Sequence, residues 1–301
     1  MPFSAPISAA TALAGVLGDP VRHSLSPAMH NAALAELGMD WVYLALPVAA
    51  AQLGTVLQAL EAIDCRGLNV TLPHKQSVTR LVCEQSSLAE RLGAVNTLVR
   101  RPAGGWIGTN TDVEGFLAPL RQGASQNRSG QEALVLGCGG SARAVLAGLV
   151  ELGLGRIRVA ARRPGALEPL LKDCRPWAPG LEGLLWQEPA DLVPALEAAD
   201  LVINTTPVGM ASTSDPADAD RSPLPPDLVA VLRPDCTVYD LIYTPRPTTL
   251  LRLAAARGCR TLDGLEMLVQ QGAAALRLWS GLEQVPVAAM RRAALVSLGG
   301  P

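Results

Sequence analysis

The chain has 301 residues, of which 49% are hydrophobic and 17% are charged, and its formal net charge at pH 7 is -2. This length favours two domains, and this composition supports well-buried cores while giving little support to extended disorder. The near-neutral charge argues against a basic nucleic-acid surface, so any anion that the protein binds must meet a local site.

Apolar runs typical of strands alternate with helix-like segments from the start of the chain. Strands are predicted at 13–18, at 41–48 and in the run CRGLNVTL at 65–72, with helices after Pro27 and near 50–62. Such alternation predicts a mainly parallel sheet that is covered by helices on both faces.

A second series of the same kind follows the polar stretch 121–130. Its strands are predicted in EALVLG, RIRVAARR, ADLVINTTP, CTVYDLIY and CRTLDG. The segment 211–227 is polar and turn-forming, which predicts an exposed loop inside this second series. The pattern therefore predicts two α/β domains in tandem.

The second domain opens with a GxGxxA pattern that places Gly137, Gly139 and Ala142 after a predicted strand and at the start of a helix. Glycines permit a tight turn and close backbone approach, and the free N–H groups of a helix N-terminus favour a pyrophosphate. Because the strand and the helix flank the glycines, a bound dinucleotide is favoured over a glycine-rich turn without a ligand.

The strand that follows ends in RVAARRPG, where a site for NAD usually carries an acidic residue about 20 residues after the glycines. Arg162 and Arg163 stand there instead. A guanidinium binds a 2′-phosphate, which an acidic residue would repel, so NADP is favoured over NAD. Taken singly, each arginine is equally well explained as an ordinary exposed side chain.

In the first domain, Ser24 and Ser26 precede a helix that Pro27 can open. A serine in this position is most often an N-cap, although two hydroxyls one residue apart also suit a carboxylate at a helix N-terminus. His23 and His30 fit packing roles, because no partner at ligand spacing completes a metal site.

Polar side chains recur at three later points: Asn69, Thr71 and Lys75 in NVTLPHK, Asn96 and Thr97 in GAVNT, and Asn110, Thr111 and Asp112 in GTNTDVEGF. We expect all three groups at the carboxyl ends of strands, where open parallel sheets bind ligands, and hence in one pocket. Any one Asn or Thr is more often explained by turn chemistry, but their conjunction favours a polyhydroxylated substrate.

Cysteine usage and hydropathy bear on location. The six cysteines form no CxxC pair and have no metal-ligand spacing with the three histidines, so we expect reduced thiols and no metal. The first fifteen residues lack the basic segment of an export signal, and each apolar stretch is interrupted well before the roughly 18 residues of a membrane span. We expect a cytoplasmic protein with no membrane or nucleic-acid partner.

The motifs taken together resemble those of the shikimate dehydrogenase family. They run in the family's order from about residue 13 to residue 280: HSLSPAMHN, NVTLPHK, GAVNT, GTNTDVEGF, GCGGSARA, NTTPVGM, DLIYTPRPT and DGLEMLVQQG. The resemblance implies NADP-dependent interconversion of shikimate and 3-dehydroshikimate, a reversible step of aromatic amino acid biosynthesis.

The resemblance also implies roles for individual residues. Lys75 and Asp112 match the family's catalytic pair. The residues implied to bind substrate are Ser24, Ser26, Thr71, Asn96, Tyr243 and Gln271. Those implied to bind NADP are Gly137, Gly139, Gly140 and Ser141 at the pyrophosphate, Arg162 and Arg163 at the 2′-phosphate, and the Thr205 to Met210 segment with Gly264 at the nicotinamide.

In the family the C-terminal helices return to the first domain. We therefore expect a substrate domain of residues 1–111 and 264–301, and a Rossmann-type NADP domain of residues 112–263. A quinate/shikimate dehydrogenase with relaxed use of NAD and NADP stays open, as does a non-catalytic paralogue that binds the same ligands, although such a paralogue is expected to lose Lys75 or Asp112. A homodimer is also left open.

Overall fold

A computed structural model of the chain describes residues 7–121, 128–211 and 216–299. They form two compact units: one holds the described residues up to Gly115 and those from Leu268 onward, and the other runs from Phe116 to Met267. The chain thus leaves the first unit and returns to it near its C-terminus. Among the described residues, no helix combines the length and the apolar character needed to cross a membrane.

The first unit is built on one sheet. Its strands are β1 (Ala12–Gly18), β2 (Trp41–Pro47), β3 (Gly67–Val70), β4 (Glu84–Gln85), β5 (Thr97–Arg100) and β6 (Trp106–Thr109). The helices that begin in this part of the chain are α1 (Ser26–Glu36), α2 (Leu53–Ala62), α3 (Ser87–Leu92) and α4 (Asp112–Arg121).

The second unit contains a second sheet, and the last two helices lead back to the first unit. The strands are β7 (Glu132–Leu136), β8 (Arg156–Ala161), β9 (Leu181–Leu185), β10 (Leu201–Asn204), β11 (Thr237–Asp240) and β12 (Arg260–Leu262). The helices are α5 (Gly140–Glu151), α6 (Pro164–Cys174), α7 (Val193–Ala198), α8 (Pro226–Ala230), α9 (Thr249–Ala256), α10 (Leu265–Ser280) and α11 (Val287–Ser297).

In the first sheet the strand order is β2-β1-β3-β5-β6-β4 among the described residues. β1 runs parallel to β2 and β3, and β4 runs parallel to β6, whereas β5 is antiparallel to both of its neighbours. Thr97 at the start of β5 pairs with Asn69 near the end of β3 and with Thr109 at the end of β6. The polar residues of three loops therefore meet at one edge of the sheet.

Packing of α10 onto this sheet depends on a glycine. A Cβ at Gly67 would overlap the indole ring of Trp279, so the helix can approach β3 only because that position has no side chain. The Trp279 indole N–H donates to the carbonyl of Leu98 at 3.0 Å, which satisfies a polar group that the packing buries. This contact holds the part of α10 that follows Gln271 against the first unit.

The second sheet has the order β12-β11-β10-β7-β8-β9, and its described pairings are all parallel. Strand β10 is buried along its whole length, as expected for a parallel strand with helices on both faces. Asn204 pairs with Leu136 on one side and with Asp240 on the other. The loops that follow β7, β10 and β11 consequently leave the sheet side by side.

The predicted fold class, two α/β domains with parallel-dominated sheets, is confirmed. Two details differ. The GAVNT motif precedes β5 and does not follow a strand, because β5 runs antiparallel to its neighbours. Of the predicted exposed loop 211–227, residues 212–215 lie outside the described part, Pro216–Asp220 form a 3₁₀ turn, and α8 begins at Pro226.

Candidate active site

An ion pair between Lys75 and Asp112 lies at the centre of the polar edge of the first sheet. Lys75 Nζ is 2.6 Å from Asp112 Oδ2, and the side chains are 16% and 6% exposed. Removing such a pair from most of its water strengthens the attraction but requires good geometry and further hydrogen bonds. The lysine stands at the end of an apolar strand because a carboxylate faces it there.

The turn that presents Lys75 is anchored on both sides. The fully buried His74 ring has Nε2 2.6 Å from the carbonyl oxygen of Val48, and the His74 backbone N–H donates to the carbonyl of Thr71. The carbonyl of Lys75 itself accepts from the Val95 N–H at 2.8 Å. These bonds fix the Lys75 backbone, so only its side chain has freedom to move.

Asn96 holds the second oxygen of Asp112. The Asn96 amide oxygen accepts from the Thr111 backbone N–H at 2.7 Å, which leaves Nδ2 to donate to Asp112 Oδ1 at 2.8 Å. Because a backbone N–H can only donate, this contact fixes which way the amide points. Asp112 is therefore held by a cation on one oxygen and by an amide on the other.

Gln271 reaches the same cluster from α10, far along the chain. Its amide oxygen lies 3.4 Å from Asn96 Nδ2, its Nε2 donates to the Leu268 carbonyl at 2.8 Å, and its side chain is nearly buried. The structure therefore brings together Lys75, Asn96, Asp112 and Gln271 among the residues that the sequence predicted.

A second layer of hydrogen bonds lies behind this cluster. Of its residues, the sequence singled out Asn69 and Thr97 as candidate pocket residues but did not indicate Tyr43. The hydroxyl of Tyr43, a fully buried residue, donates to Asn69 Oδ1 at 2.7 Å, and Asn69 Nδ2 lies 3.3 Å from both the Asn96 carbonyl and Thr97 Oγ1. Thr97 in turn donates to Asn96 Oδ1 at 2.9 Å. A polar Asn inside the otherwise apolar GLNV strand was the available signal for this support.

Neither serine caps helix α1, although an N-cap is the more common role for a serine in this position. Helix α1 begins at Ser26, and its N-cap is Leu25, which makes no side-chain capping bond. Ser24 Oγ instead accepts from the Ser26 backbone N–H at 3.2 Å, in a turn closed by the hydroxyl. The Ser24 hydroxyl proton stays available to a ligand, and Ser26 is nearly buried at the same helix end.

Thr71 lies directly after β3 and is held against β1. Its N–H donates to the Leu17 carbonyl at 2.8 Å, and a Cβ at Gly18 would approach the Thr71 methyl to 2.5 Å. Gly18 therefore makes room for the Thr71 side chain at the carboxyl ends of two parallel strands.

In the second unit, the glycine loop has the features that a pyrophosphate needs. Gly137 has a φ of +102°, and a Cβ there would come within 2.8 Å of Thr205 Oγ1, so only glycine fits. A Cβ at Gly139 would meet nothing within 4 Å, so the space in front of α5 is open. Helix α5 begins at Gly140 with Ser141 in its first turn, and no side chain caps it. Open N–H groups at the N-terminus of a twelve-residue helix fit the diphosphate of a dinucleotide.

Arg162 and Arg163 are both exposed directly after β8, and within the part of the chain that the structure describes neither has an ion-pair partner. Burial raises the pKa of the Cys138 thiol in the glycine loop, and the nearby Arg163 guanidinium partly opposes that shift. Arg163 thus lies close to the glycine loop, and no carboxylate of the described residues is paired with its guanidinium.

The remaining predicted residues lie on the loops after β10, β11 and β12. Thr205 Oγ1 donates to the Leu136 carbonyl at 2.8 Å, and Met210 is 37% exposed. A Cβ at Gly264 would overlap the carbonyl oxygen of Leu241, so the loop after β12 passes very close to the loop after β11. Tyr243 follows in that second loop, and burial raises the pKa of its phenol, which stays neutral.

Comparison with known families gives two matches. Residues 16–98 match the profile described as shikimate dehydrogenase substrate binding domain, and residues 264–295 match the profile described as shikimate 5′-dehydrogenase C-terminal domain.

Individual relatives align over almost the whole chain. A shikimate dehydrogenase (NADP(+)) of Synechococcus sp. strain JA-2-3B'a(2-13) is 49% identical over 96% of each chain. A crystal structure of shikimate 5-dehydrogenase from Thermus thermophilus in complex with NADP(H) and shikimate is 36% identical over 95% of this chain and 100% of that one, with a TM-score of 0.81. A quinate dehydrogenase from Corynebacterium glutamicum in complex with NAD is 33% identical over 95% and 99% of the chains, with a TM-score of 0.83.

Proposed function

This chain belongs to the shikimate dehydrogenase family, and on that premise we propose how its residues carry out the reaction. The protein is an NADP-dependent oxidoreductase that acts on a CH–OH group: it interconverts shikimate and 3-dehydroshikimate in aromatic amino acid biosynthesis. The observation that carries the proposal is the 2.6 Å contact between Lys75 Nζ and Asp112 Oδ2.

Reduction of the ketone needs a proton donor. Bound NADPH supplies the hydride, and the ketone oxygen then gains negative charge. The Lys75 ammonium donates a hydrogen bond to this oxygen as the charge develops and passes it a proton. In the reverse direction a neutral Lys75 accepts the proton from the substrate hydroxyl.

Asp112 acts on this step in two ways. Its Oδ2 keeps Lys75 in place, and its carboxylate shares the substrate hydroxyl with the ammonium. The contact of Asn96 Nδ2 with Asp112 Oδ1 supports this assignment, because it keeps the carboxylate from rotating away.

For the substrate, Ser24 and Ser26 bind the carboxylate at the start of α1, where hydroxyls and the helix N-terminus both favour an anion. Thr71, Asn96 and Gln271 bind the ring hydroxyls. The support is their placement within the first unit: Thr71 follows β3, and the two amides are 3.4 Å apart. Tyr243 is assigned to the substrate by the family resemblance.

The second unit holds NADP. Gly137, Gly139, Gly140 and Ser141 bind the pyrophosphate, and Arg162 and Arg163 bind the 2′-phosphate through charge-assisted hydrogen bonds. The Thr205 to Met210 segment and Gly264 bind the nicotinamide end. We accordingly propose that residues 1–111 and 264–301 form the substrate domain and residues 112–263 the cofactor domain; the two compact units divide slightly later, after Gly115 and after Met267, so that Asp112 lies in the first unit.

Absorbance of the reduced nicotinamide tests the function directly. Purified protein should reduce NADP with shikimate, and should do so more efficiently than with quinate or with NAD. Comparable rates with quinate and NAD would assign the protein to the broader quinate/shikimate class; one structural relative is named a quinate dehydrogenase and was solved in complex with NAD. Binding of both ligands without turnover would make it a non-catalytic paralogue.

We further propose a cytoplasmic location. All six cysteines are free thiols, four of them buried, and free thiols are typical of the reducing cytosol. A homodimer stays an expectation, which light scattering on the purified protein tests.

A further inference from the structure

Asp240 ends strand β11 as a buried carboxylate without a cationic partner. Its relative exposure is 0%, and within residues 7–121, 128–211 and 216–299 no lysine, arginine or histidine forms an ion pair with it. A buried charge is costly unless it is paired, so its presence calls for an explanation.

Three neutral donors from three segments converge on this carboxylate. Oδ1 accepts from Asn204 Nδ2 at 2.9 Å and from the Ile242 backbone N–H at 3.2 Å, and Oδ2 accepts from Thr248 Oγ1 at 2.8 Å. These donors belong to the end of β10, the loop after β11 and the N-cap of α9. Asp240 thus ties the three segments together.

The network extends into the loops assigned to the nicotinamide. Asn204 Oδ1 accepts from the Thr206 N–H at 3.0 Å and from its hydroxyl at 2.7 Å, inside the NTTPVGM motif. The Ile242 carbonyl accepts from the Gly264 N–H at 3.1 Å. Through Asn204 and Ile242, Asp240 fixes the loops that carry Thr205 to Met210 and Gly264.

Burial raises the pKa of Asp240 to about 6, against the opposing effect of its hydrogen bonds from Thr248, Ile242 and Asn204. The charged group that faces it is Asp263, whose carboxylate adds to the rise and is itself bonded to Arg246 at 2.7 Å. The phenol of the preceding Tyr239 is neutral, because burial raises its pKa further. Above pH 7 Asp240 is therefore mostly ionised, and no lysine, arginine or histidine among the described residues is paired with it.

We propose that Asp240 is a positioning residue that fixes the nicotinamide loops and whose negative charge makes the site prefer the oxidised ring to the reduced one. The inference rests on the proposed function, which assigns these loops to the nicotinamide. Loss of a hydride removes two electrons and one proton, so the oxidised ring is a cation and the reduced ring is neutral. An uncompensated anion in a weakly polar interior attracts only the cation.

The substitution Asp240→Asn removes the negative charge of the side chain while keeping its size and shape. The asparagine oxygen can accept from Asn204 and Ile242, and its amide can donate to the Thr248 oxygen, so the loops stay tied. Equilibrium binding at pH 8 should show NADP⁺ affinity reduced by roughly threefold to thirtyfold, from a charge interaction worth about one pKa unit, with NADPH affinity nearly unchanged. Equal losses for both forms, or no loss, would overturn the proposal.

The matched control is Asp200→Asn. Asp200 precedes the other end of β10 and is paired with Arg233, so its loss removes a carboxylate of the same sheet that lies away from the nicotinamide loops. This variant should keep the wild-type ratio of NADP⁺ to NADPH affinity. A changed ratio in Asp200→Asn would mean that net charge, and not Asp240, sets the preference.

A measurement on the wild-type protein keeps the proposal testable if Asp240→Asn fails to fold. A cationic ring lowers the pKa of Asp240, so NADP⁺ binding near pH 6 should release more protons than NADPH binding, as measured by calorimetry in buffers of different ionisation enthalpy. The 2′-phosphate of the cofactor also titrates near pH 6. Because both NADP⁺ and NADPH carry it, its contribution cancels when the two values of proton release are subtracted. Identical proton release would contradict the proposal, whereas failure of either form to bind would instead overturn the proposed function.

Discussion

Nδ2 of Asn96 lies 2.8 Å from Oδ1 of Asp112, while Lys75 lies 2.6 Å from Oδ2 of the same carboxylate. Asn96 directly precedes the antiparallel strand β5, and Asp112 begins helix α4. We therefore propose for Asn96 a role beyond binding the substrate hydroxyls: it fixes Asp112, the partner of the proposed proton donor.

We expect Asn96→Ala to lower kcat as well as to raise KM for shikimate. The change frees one Asp112 oxygen, which we expect to lower kcat/KM by roughly tenfold to a hundredfold. It also leaves the buried Thr111 N–H unpaired, at a cost in folding stability of about 1–3 kcal/mol. Steady-state kinetics checks this, with thermal unfolding as the control for folding. A rise in KM alone would restrict Asn96 to substrate binding.

Arg162→Ala should weaken NADP binding far more than NAD binding, because only NADP carries the 2′-phosphate that the guanidinium binds. Dissociation constants for both cofactors measure the difference. Arg175→Ala is the matched control, since Arg175 is exposed at the other end of α6. Equal weakening of both cofactors by Arg162→Ala would show that the 2′-phosphate is not bound there.

Gly264→Ala should impair both cofactor binding and stability. The added methyl would overlap the Leu241 carbonyl, so the loops after β11 and β12 must separate. Gly165→Ala is the matched control, because a Cβ there meets nothing within 4 Å and the position lies inside α6. The melting temperature and the NADP affinity should both decrease in Gly264→Ala and should stay at the wild-type values in Gly165→Ala. Normal cofactor affinity in Gly264→Ala would mean that this close approach is not needed at the site.

Because the pKa of Asp240 is raised in the folded protein, the free energy of unfolding should depend on pH. Burial raises the pKa of its carboxyl from the ordinary value of 3.8 to about 6 in the folded protein, which therefore holds the proton more tightly than the unfolded chain does. Stability is then fully present below about pH 4 and is lost as pH rises through 6, by about 3 kcal/mol for two pKa units.

Chemical denaturation of wild type and Asp240→Asn at several pH values measures this loss. The variant should be more stable than wild type at pH 8, and the gain should disappear towards pH 4. A variant that is less stable than wild type at pH 8 would mean that the hydrogen bonds to the charged form outweigh its burial.

The strands with long apolar runs were predictable from sequence. β1, β2, β7 and β8 lie where the runs 13–18, 41–48, EALVLG and RIRVAARR indicated. β4 has two residues and β5 and β6 have four each, which is too short for periodicity to register, and nothing local signals that β5 runs antiparallel. Direction depends on tertiary pairing, which the composition of a four-residue strand does not encode.

The proposed catalytic pair was found through motifs, and Asn69 was singled out with it as a polar residue of the same motif. Tyr43 was not, because it acts through a hydrogen bond to Asn69 from β2, on the far side of β1 and 26 positions away in the chain. In the sequence, Asp240 looks like any aspartate at the end of a strand. What distinguishes it is its complete burial, with no cationic partner in the part of the chain that the structure describes.

Lys75 is the proposed proton donor, and the chain offers a matched comparison in Lys172, its only other lysine, which is exposed on α6. Turnover of 3-dehydroshikimate by Lys75→Ala and Lys172→Ala, with NADPH affinity measured for both, is the most direct test. We predict that Lys75→Ala loses about two to four orders of magnitude in turnover with cofactor affinity nearly unchanged, and that Lys172→Ala behaves as wild type. Near-normal turnover in Lys75→Ala would contradict the account.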